Sequence, residues 1–520
     1  MVIGGGINGA GIARDLAGRG LSVLLCEKGD LASATSSAST KLIHGGLRYL
    51  EHFEFKLVRE SLKEREVLLR SAPHIIWPLE FVLPHHAALR PRWMIRLGLF
   101  IYDMLGGRKS LPFSRGRQLT NSPYGQPLKK NFEHGFTYSD CWVEDTRLTV
   151  LTAVDAAQRG AEVLTRTACT GLKPRGAKGW IVTLHDTITD ESGQVTASMV
   201  VNAAGPWVTQ ALDMVGPDAG QYRTRLVKGS HIIVPRLYQG DHAYILQNDD
   251  KRIVFVIPYE KKFSLIGTTD VEYNGELDEV RISLPEVEYL CAAASKYLRV
   301  PVRPEDVQWT YSGVRPLVDD GEDAASKVTR DYLLDLENFD DAPILTVYGG
   351  KLTTFRHLSE KAGNMVVETL GRGGAAWTHD AFLPGGDMNY DFHAFLKTLK
   401  REYNWLPEAL AYRLARAYGS TLREMLRGMK RMADLGEHLG EGVYEFEIVH
   451  LVRNEFALTL EDVVWRRSKL GLHLREDTQR NIRRLVKALR TRPEKPVDGS
   501  WEGAGDEDDT PASEEASAAS

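Results

Sequence analysis

The sequence predicts an α/β opening, an α+β middle and a helical C-terminal region, and three patterns carry that expectation. Residues 1–30 read as a strand, a glycine turn, a helix with Ala10, Ala13, Leu16 and Ala17 on one face, and a second strand over Val23–Cys26. Between about residues 150 and 350, β-rich runs at Met199–Ala203, Ser230–Val234 and Arg252–Ile257 alternate with short helical stretches. Beyond about residue 385, Leu406, Leu410, Leu414 and Tyr418 recur at four-residue spacing, and a second apolar run passes through Val463, Val464 and Trp465. Such stripes bury one face of a helix.

With 520 residues, 43% of them hydrophobic and 26% charged, the chain has material for roughly two to four domains. The expected division is an interleaved region over 1–384, a helical domain over 385–492 and an acidic, disordered tail over 493–520. Only Met1, Val2 and Ile3 precede the first glycines, a short run for a strand, which leaves the true start of the chain open. The four cysteines are scattered with no CxxC pair, which argues against a disulfide framework or a zinc site and favours a reducing, cytoplasmic setting. No apolar run reaches the roughly 18 residues needed to cross a bilayer. The net charge is −5, but residues 494–520 hold nine acids and one lysine, so the rest of the chain is at +3. That surplus is too small, with no basic-aromatic tract, to suggest a nucleic-acid partner.

Gly4, Gly6 and Gly9 form G-x-G-x-x-G directly after the first strand, so that a helix N-terminus can approach a pyrophosphate. Glu27 ends the second strand eighteen residues after Gly9, where an acid accepts from ribose hydroxyls. NAD and FAD share this opening. The hydroxyl-rich segment 34–51, ATSSASTKLIHGGLRYLE, favours FAD, because it suits phosphate binding followed by close passage of a planar ring.

Here the sequence resembles the FAD-dependent glycerol-3-phosphate dehydrogenases. The matching strings are GGGINGAGIARDLAGRGLSV, ATSSASTKLIHGGLRYLE, YSDCWVED, VNAAGPWV, KGSHIIVPR, AYILQNDDKRIVFVIPY, GTTDVEY, TYSGVRPL and GGKLTTFR, in that order. The resemblance implies a Rossmann-like FAD-binding domain, a substrate cap on an antiparallel sheet and a helical C-terminal domain. It also implies non-covalent FAD contacts at Gly4, Gly6, Ile7, Asn8, Gly9, Glu27, Lys28, Thr35, Ser36, Ser39, Lys41, Leu42, His44, Gly45, Gly46, Ala168, Gly205, Trp207, Gly349, Gly350 and Leu352.

A glycerol 3-phosphate dianion needs cations at one end of its pocket, and the motifs offer Arg48, Arg315 and Lys351. Lys351 precedes a helical pattern through Phe355, Leu358, Ala362, Met365 and Val366, and a cation at a helix N-terminus implies an anion beside it. Arg48 and Lys351 are expected to bind substrate, to which the resemblance adds Tyr49 and Thr353; Arg315 is expected to stabilise the developing alkoxide and His231 to accept its proton. For His231, a hydrogen-bonded strand histidine is the competing reading.

Residues 89–109 combine an apolar centre with flanking Arg90, Arg92, Arg96 and Lys109, which suits an interfacial helix burying Trp93, Ile95, Leu97 or Phe100 in anionic lipid. A core helix with snorkelling arginines is the alternative. The resulting expectation is a peripheral enzyme on the inner face of the cytoplasmic membrane that reduces quinone. An oxygen-using oxidase and an amine or amino-acid oxidase are the rivals. Oligomeric state is open, with a homodimer as one outcome.

Overall fold

The computed structural model describes residues 1–107, 110–216, 219–250, 252–318 and 332–490. The acidic tail expected over 493–520 lies outside the described residues. The first strand, Val2–Ile3, has only two residues, yet it sits inside a six-stranded sheet between Val200–Asn202 and Leu24–Glu27. Pairing on both edges holds it there, and the Met1 amine donates to the Met199 carbonyl at 2.9 Å. The parallel set extends to Glu162–Thr165 on one side and Ala342–Gly349 on the other, where Tyr332–Phe339 closes the edge antiparallel.

Helix Ile7–Gly18 packs against helices Asp145–Gln158 and Phe355–Leu370 through Ala10, Ala13 and Leu16 with Val150, Val154, Leu358 and Ala362. Close approach depends on Gly11, where a Cβ would lie 2.3 Å from the Ser359 hydroxyl. A three-stranded antiparallel meander, Thr167–Pro174, Trp180–Asp186 and Glu191–Ala197, stands beside this domain.

The cap is a ten-stranded sheet. Its long strand Thr224–Pro235 pairs antiparallel with Trp309–Val318 and Phe263–Gly267. Ile76–His85 and His134–Val143, from much earlier in the chain, complete it, so the two regions are interleaved. One junction departs from the expected antiparallel pattern: Ala243–Gln247 runs parallel to Ile76–His85.

A separate helical core gathers residues from Met388 to Val486. Leu406, Leu410, Leu414 and Tyr418 are buried in it, while the expected run at Val463–Trp465 forms a π-helical turn, Asp462–Arg467. That turn carries the contact to the nucleotide-binding sheet. Arg466 and Arg467 both reach buried Asp30, while Arg166 holds Asp30 at 3.1 Å and Asp462 at 2.7 Å. A second buried pair joins Arg147 to Glu455, and Trp309 of the cap stacks on Trp465 at 4.1 Å.

Candidate active site

Gly4 adopts φ +108°, and a Cβ there would lie 2.6 Å from the Ala203 carbonyl oxygen. At Gly9 a Cβ would lie 1.9 Å from the Gly4 carbonyl oxygen. Bare backbone is therefore required at both positions for the helix start to sit against the strand. Glu27 braces this turn, accepting from the Gly5 N–H at 2.6 Å and the Gly29 N–H at 2.7 Å. Burial pushes its carboxyl upward, against the opposing pull of these hydrogen bonds. Each oxygen of the ionised group keeps lone-pair capacity for a ribose hydroxyl.

The hydroxyl-rich loop is tied down on several sides. Thr35 donates to the Val314 carbonyl at 2.6 Å, the Ile7 N–H donates to Ser36 Oγ at 2.9 Å, and Ser39 donates to Asp145 at 2.7 Å. Lys41 is 1% exposed and pairs with Asp145 at 2.7 Å. Its side chain anchors the loop from behind, outside the cavity lining. Gly45 is likewise turned away, its N–H donating to the Tyr102 hydroxyl at 2.8 Å.

A cavity of about 920 Å³ runs along these elements. Of the expected residues it is lined by Gly4, Gly6, Ile7, Asn8, Glu27, Lys28, Thr35, Ser36, Ser39, Leu42, His44, Gly46, Tyr49, Ala168, Gly205, Trp207, Arg315, Gly349, Gly350, Lys351, Leu352 and Thr353. Gly9, Lys41, Gly45 and His231 are not in its lining. The side chain of Arg48 lies outside the described residues.

Among the lining groups, Arg315 donates to Asp270 at 2.7 Å and to the Thr268 hydroxyl at 3.1 Å. The Lys351 ammonium sits over the Tyr49 ring at 4.0 Å from its centroid. Gly349 and Gly350 take φ of +72° and +98°, and Asn8 donates to the Gly349 carbonyl at 3.1 Å, which joins the turn before Lys351 to the glycine cradle. The Thr353 hydroxyl accepts from the His44 N–H at 3.2 Å.

His231, the expected proton acceptor, lies just behind the cavity wall rather than in its lining. Strand register places it between Tyr311 and Gly267, and the imidazole is fully buried, stacked on Tyr311 at 4.7 Å with Nε2 3.0 Å from the Thr40 hydroxyl. Burial, followed by the charges of Arg315 and Lys41, holds it well below the ordinary imidazole range. Its contacts reach the cavity only through Tyr311 and Thr40, both of which line it.

Sequence reasoning missed Tyr138, Ile245, Phe255, Asp270 and Tyr311, all of which line the cavity. Asp270 had a signal, since it stands in the GTTDVEY string. The others are alternating strand residues whose inward face only the sheet register reveals.

A family model described as FAD dependent oxidoreductase matches residues 1–356. The chain belongs to that family. A second family model, described as the C-terminal domain of alpha-glycerophosphate oxidase, matches residues 376–493 of this FAD-dependent oxidoreductase. The site fits FAD: the glycine cradle admits no Cβ at Gly4 or Gly9, and the continuous cavity reaches from Gly4 to Lys351.

A glycerol-3-phosphate dehydrogenase of Pseudomonas aeruginosa is 52% identical, covering 92% of this chain and 93% of its own. A D-erythritol 1-phosphate dehydrogenase of Brucella abortus is 50% identical, covering 92% and 95%. Among solved structures, a glycerol-3-phosphate dehydrogenase from Bacillus halodurans complexed with FAD aligns with TM-score 0.71 at 25% identity, covering 94% of this chain and 93% of that one.

Proposed function

We propose that this FAD-dependent oxidoreductase oxidises sn-glycerol 3-phosphate to dihydroxyacetone phosphate and passes the electrons to a membrane quinone. The observation that carries the reading is the presence of Arg315 and Lys351, distant in sequence, in the wall of the cavity that begins at the glycine cradle. Bound FAD supplies the hydride acceptor. Arg315, its fork fixed by Asp270 and Thr268, hydrogen-bonds the reacting hydroxyl oxygen and stabilises the negative charge that develops on it. Lys351 places its cation over Tyr49, and with Thr353 forms the phosphate end.

Anaerobic titration of the yellow protein tests this. Glycerol 3-phosphate bleaches the flavin, while glycerol and D-alanine leave it oxidised; bleaching by D-alanine alone would move the protein to the amino-acid oxidases. The Brucella relative favours D-erythritol 1-phosphate as a second substrate reading, and the same titration separates the two by the concentration needed. Peroxide formation against quinone reduction, measured on one sample, separates an oxidase from a quinone-linked enzyme.

Among the described residues no helix is long and apolar enough to cross a membrane. Helix Arg92–Leu105 instead buries only Leu99 and Tyr102. Trp93, Leu97, Phe100 and Met104 recur along its outer face, with Trp93 66% exposed and Leu97 50% exposed. Phe53, 79% exposed, adds to the apolar surface. Ile95, expected in the lipid, instead packs partly buried against the cap core. Arg90, Arg92 and Arg96 are exposed, as an interfacial helix meeting anionic headgroups requires, and Lys109 lies outside the described residues. We place this face on the inner surface of the cytoplasmic membrane. Trp93→Ala with Phe100→Ala will weaken sedimentation with anionic vesicles by about a hundredfold, the equivalent of roughly 3 kcal/mol of lost apolar burial. Dye-linked activity will survive, and unchanged sedimentation would remove the docking assignment.

A further inference from the structure

The flavin cavity is not walled by the nucleotide-binding domain alone at the end where Glu27 waits for a ribose. Leu277, Asp278 and Val280 line it too, and they belong to the cap, in the segment between strand Val271–Glu272 and helix Leu284–Tyr297. The same lining holds Lys28, which follows strand Leu24–Glu27, and Trp207, which ends the short turn Gly205–Trp207. The Lys28 ammonium joins all three segments. It pairs with Asp278 at 2.9 Å and lies over the Trp207 ring, 4.0 Å from its centroid.

This cap segment is fixed at both ends and lightly held between them. Val271 and Glu272 pair with Lys228 and Val227, and the Tyr273 N–H donates to the Leu226 carbonyl at 2.9 Å. At the far end Lys228 donates to the Arg281 carbonyl at 2.9 Å, and Ser283 with Glu286 forms the capping box of the following helix. Residues 274–280 otherwise bond within their own turn, where the Tyr273 hydroxyl and the Glu279 N–H both donate to the Glu276 carbonyl. Among the described residues, the pair with Lys28 is their one polar tie to the nucleotide-binding domain. Three residues per turn put Leu277 and Val280 on one side of the short helix Leu277–Glu279, and both are half-buried while Asp278 and Glu279 are exposed.

We propose that residues 273–281 form a strap that retains the cofactor. Leu277 and Val280 pack on the adenosine half of bound FAD, Asp278 is the positioning residue that holds the strap down through Lys28, and FAD exchange requires that clasp to open. The chemistry suits the task. An apolar contact covers adenine without competing for the ribose hydroxyls that Glu27 accepts from. An ion pair whose side chains are 44% and 75% exposed adds little to the stability of the fold, but across the rim of a cavity it sets how often the rim opens. Because the pair faces water, salt weakens it.

Asp278→Asn tests the clasp. Release of FAD from the purified holoenzyme is followed as the fluorescence of free flavin after dilution, with no turnover involved. At low salt the variant should release FAD about two- to fivefold faster than the wild type, the range that loss of an exposed ion pair supplies. That excess should shrink toward nothing at about 1 M salt, where the wild-type pair is itself screened. Release at the wild-type rate at low salt, or an excess that persists undiminished at high salt, would overturn the clasp. Leu277→Ala separates the apolar contact from the charge. It should speed release by about tenfold at every salt concentration, as partial loss of a buried leucine surface does. Wild-type release by Leu277→Ala would put the strap clear of the cofactor and overturn the proposal.

Discussion

Arg315→Leu will lower kcat/KM for glycerol 3-phosphate by about 10²–10³-fold, as removal of a preorganised donor to a developing oxyanion does, while the protein remains yellow. The expected size follows from how firmly the guanidinium is held. Asp270 and Thr268 occupy one nitrogen each, and the residue rises from the centre of a strand paired along its length with Thr224–Pro235. Little reorganisation is therefore needed when charge develops. Arg315→Lys should recover only part of the loss, because a lysine supplies charge without the fork that Asp270 fixes. Steady-state rates read beside the flavin absorbance make the check: wild-type kcat/KM in Arg315→Leu would remove this residue from the chemistry.

Asp462→Asn will destabilise the protein by about 3–5 kcal/mol, because it leaves Arg166, Arg466 and Arg467 sharing the single carboxylate of Asp30 where the helical domain meets the nucleotide-binding sheet. Arg166 and Arg466 both pair with Asp462, which is fully buried. Glu455 plays the same part for Arg147. Although burial opposes ionisation, these arginines, with Arg467 near Asp462 and His450 near Glu455, hold Asp462 well below the usual carboxylate range and Glu455 at about 2. A carboxylate with a depressed folded-state value contributes its full stability above its unfolded value and loses it as pH falls toward the folded one. Unfolding midpoints should therefore be insensitive to these two groups above about pH 4.5 and fall steeply between there and about pH 2. In Asp462→Asn that acid limb should be shallower. An unchanged denaturation midpoint in the variant would show that the interface does not depend on this pair.

Local signals and long-range ones were not equally legible in the sequence. The glycine cradle and the hydroxyl loop are contiguous strings whose chemistry follows from backbone geometry, and Gly4, Gly6, Thr35, Ser36 and Ser39 line the cavity. Lys41 shows the limit of such reading, since a lysine in a phosphate-suited loop looks like an anion contact until Asp145, more than a hundred residues away, is seen to hold it. His231 is hidden for a related reason: it shares the sheet face of Tyr311 and is covered by that ring and by Thr40, neither of them near it in sequence. The domain interface was least visible: Asp30, Arg166 and Arg466 belong to different elements, and nothing local marks them as partners. The exposed face of Arg92–Leu105 was legible as amphipathic, but its two candidate settings differ only in what packs against it.

Glu27 already accepts hydrogen bonds from Gly5 and Gly29, and Ser36 already accepts one from Ile7, within the protein itself. The dinucleotide seat is thus braced by the polypeptide's own hydrogen bonds. Such bracing lowers the ordering entropy that flavin binding has to offset.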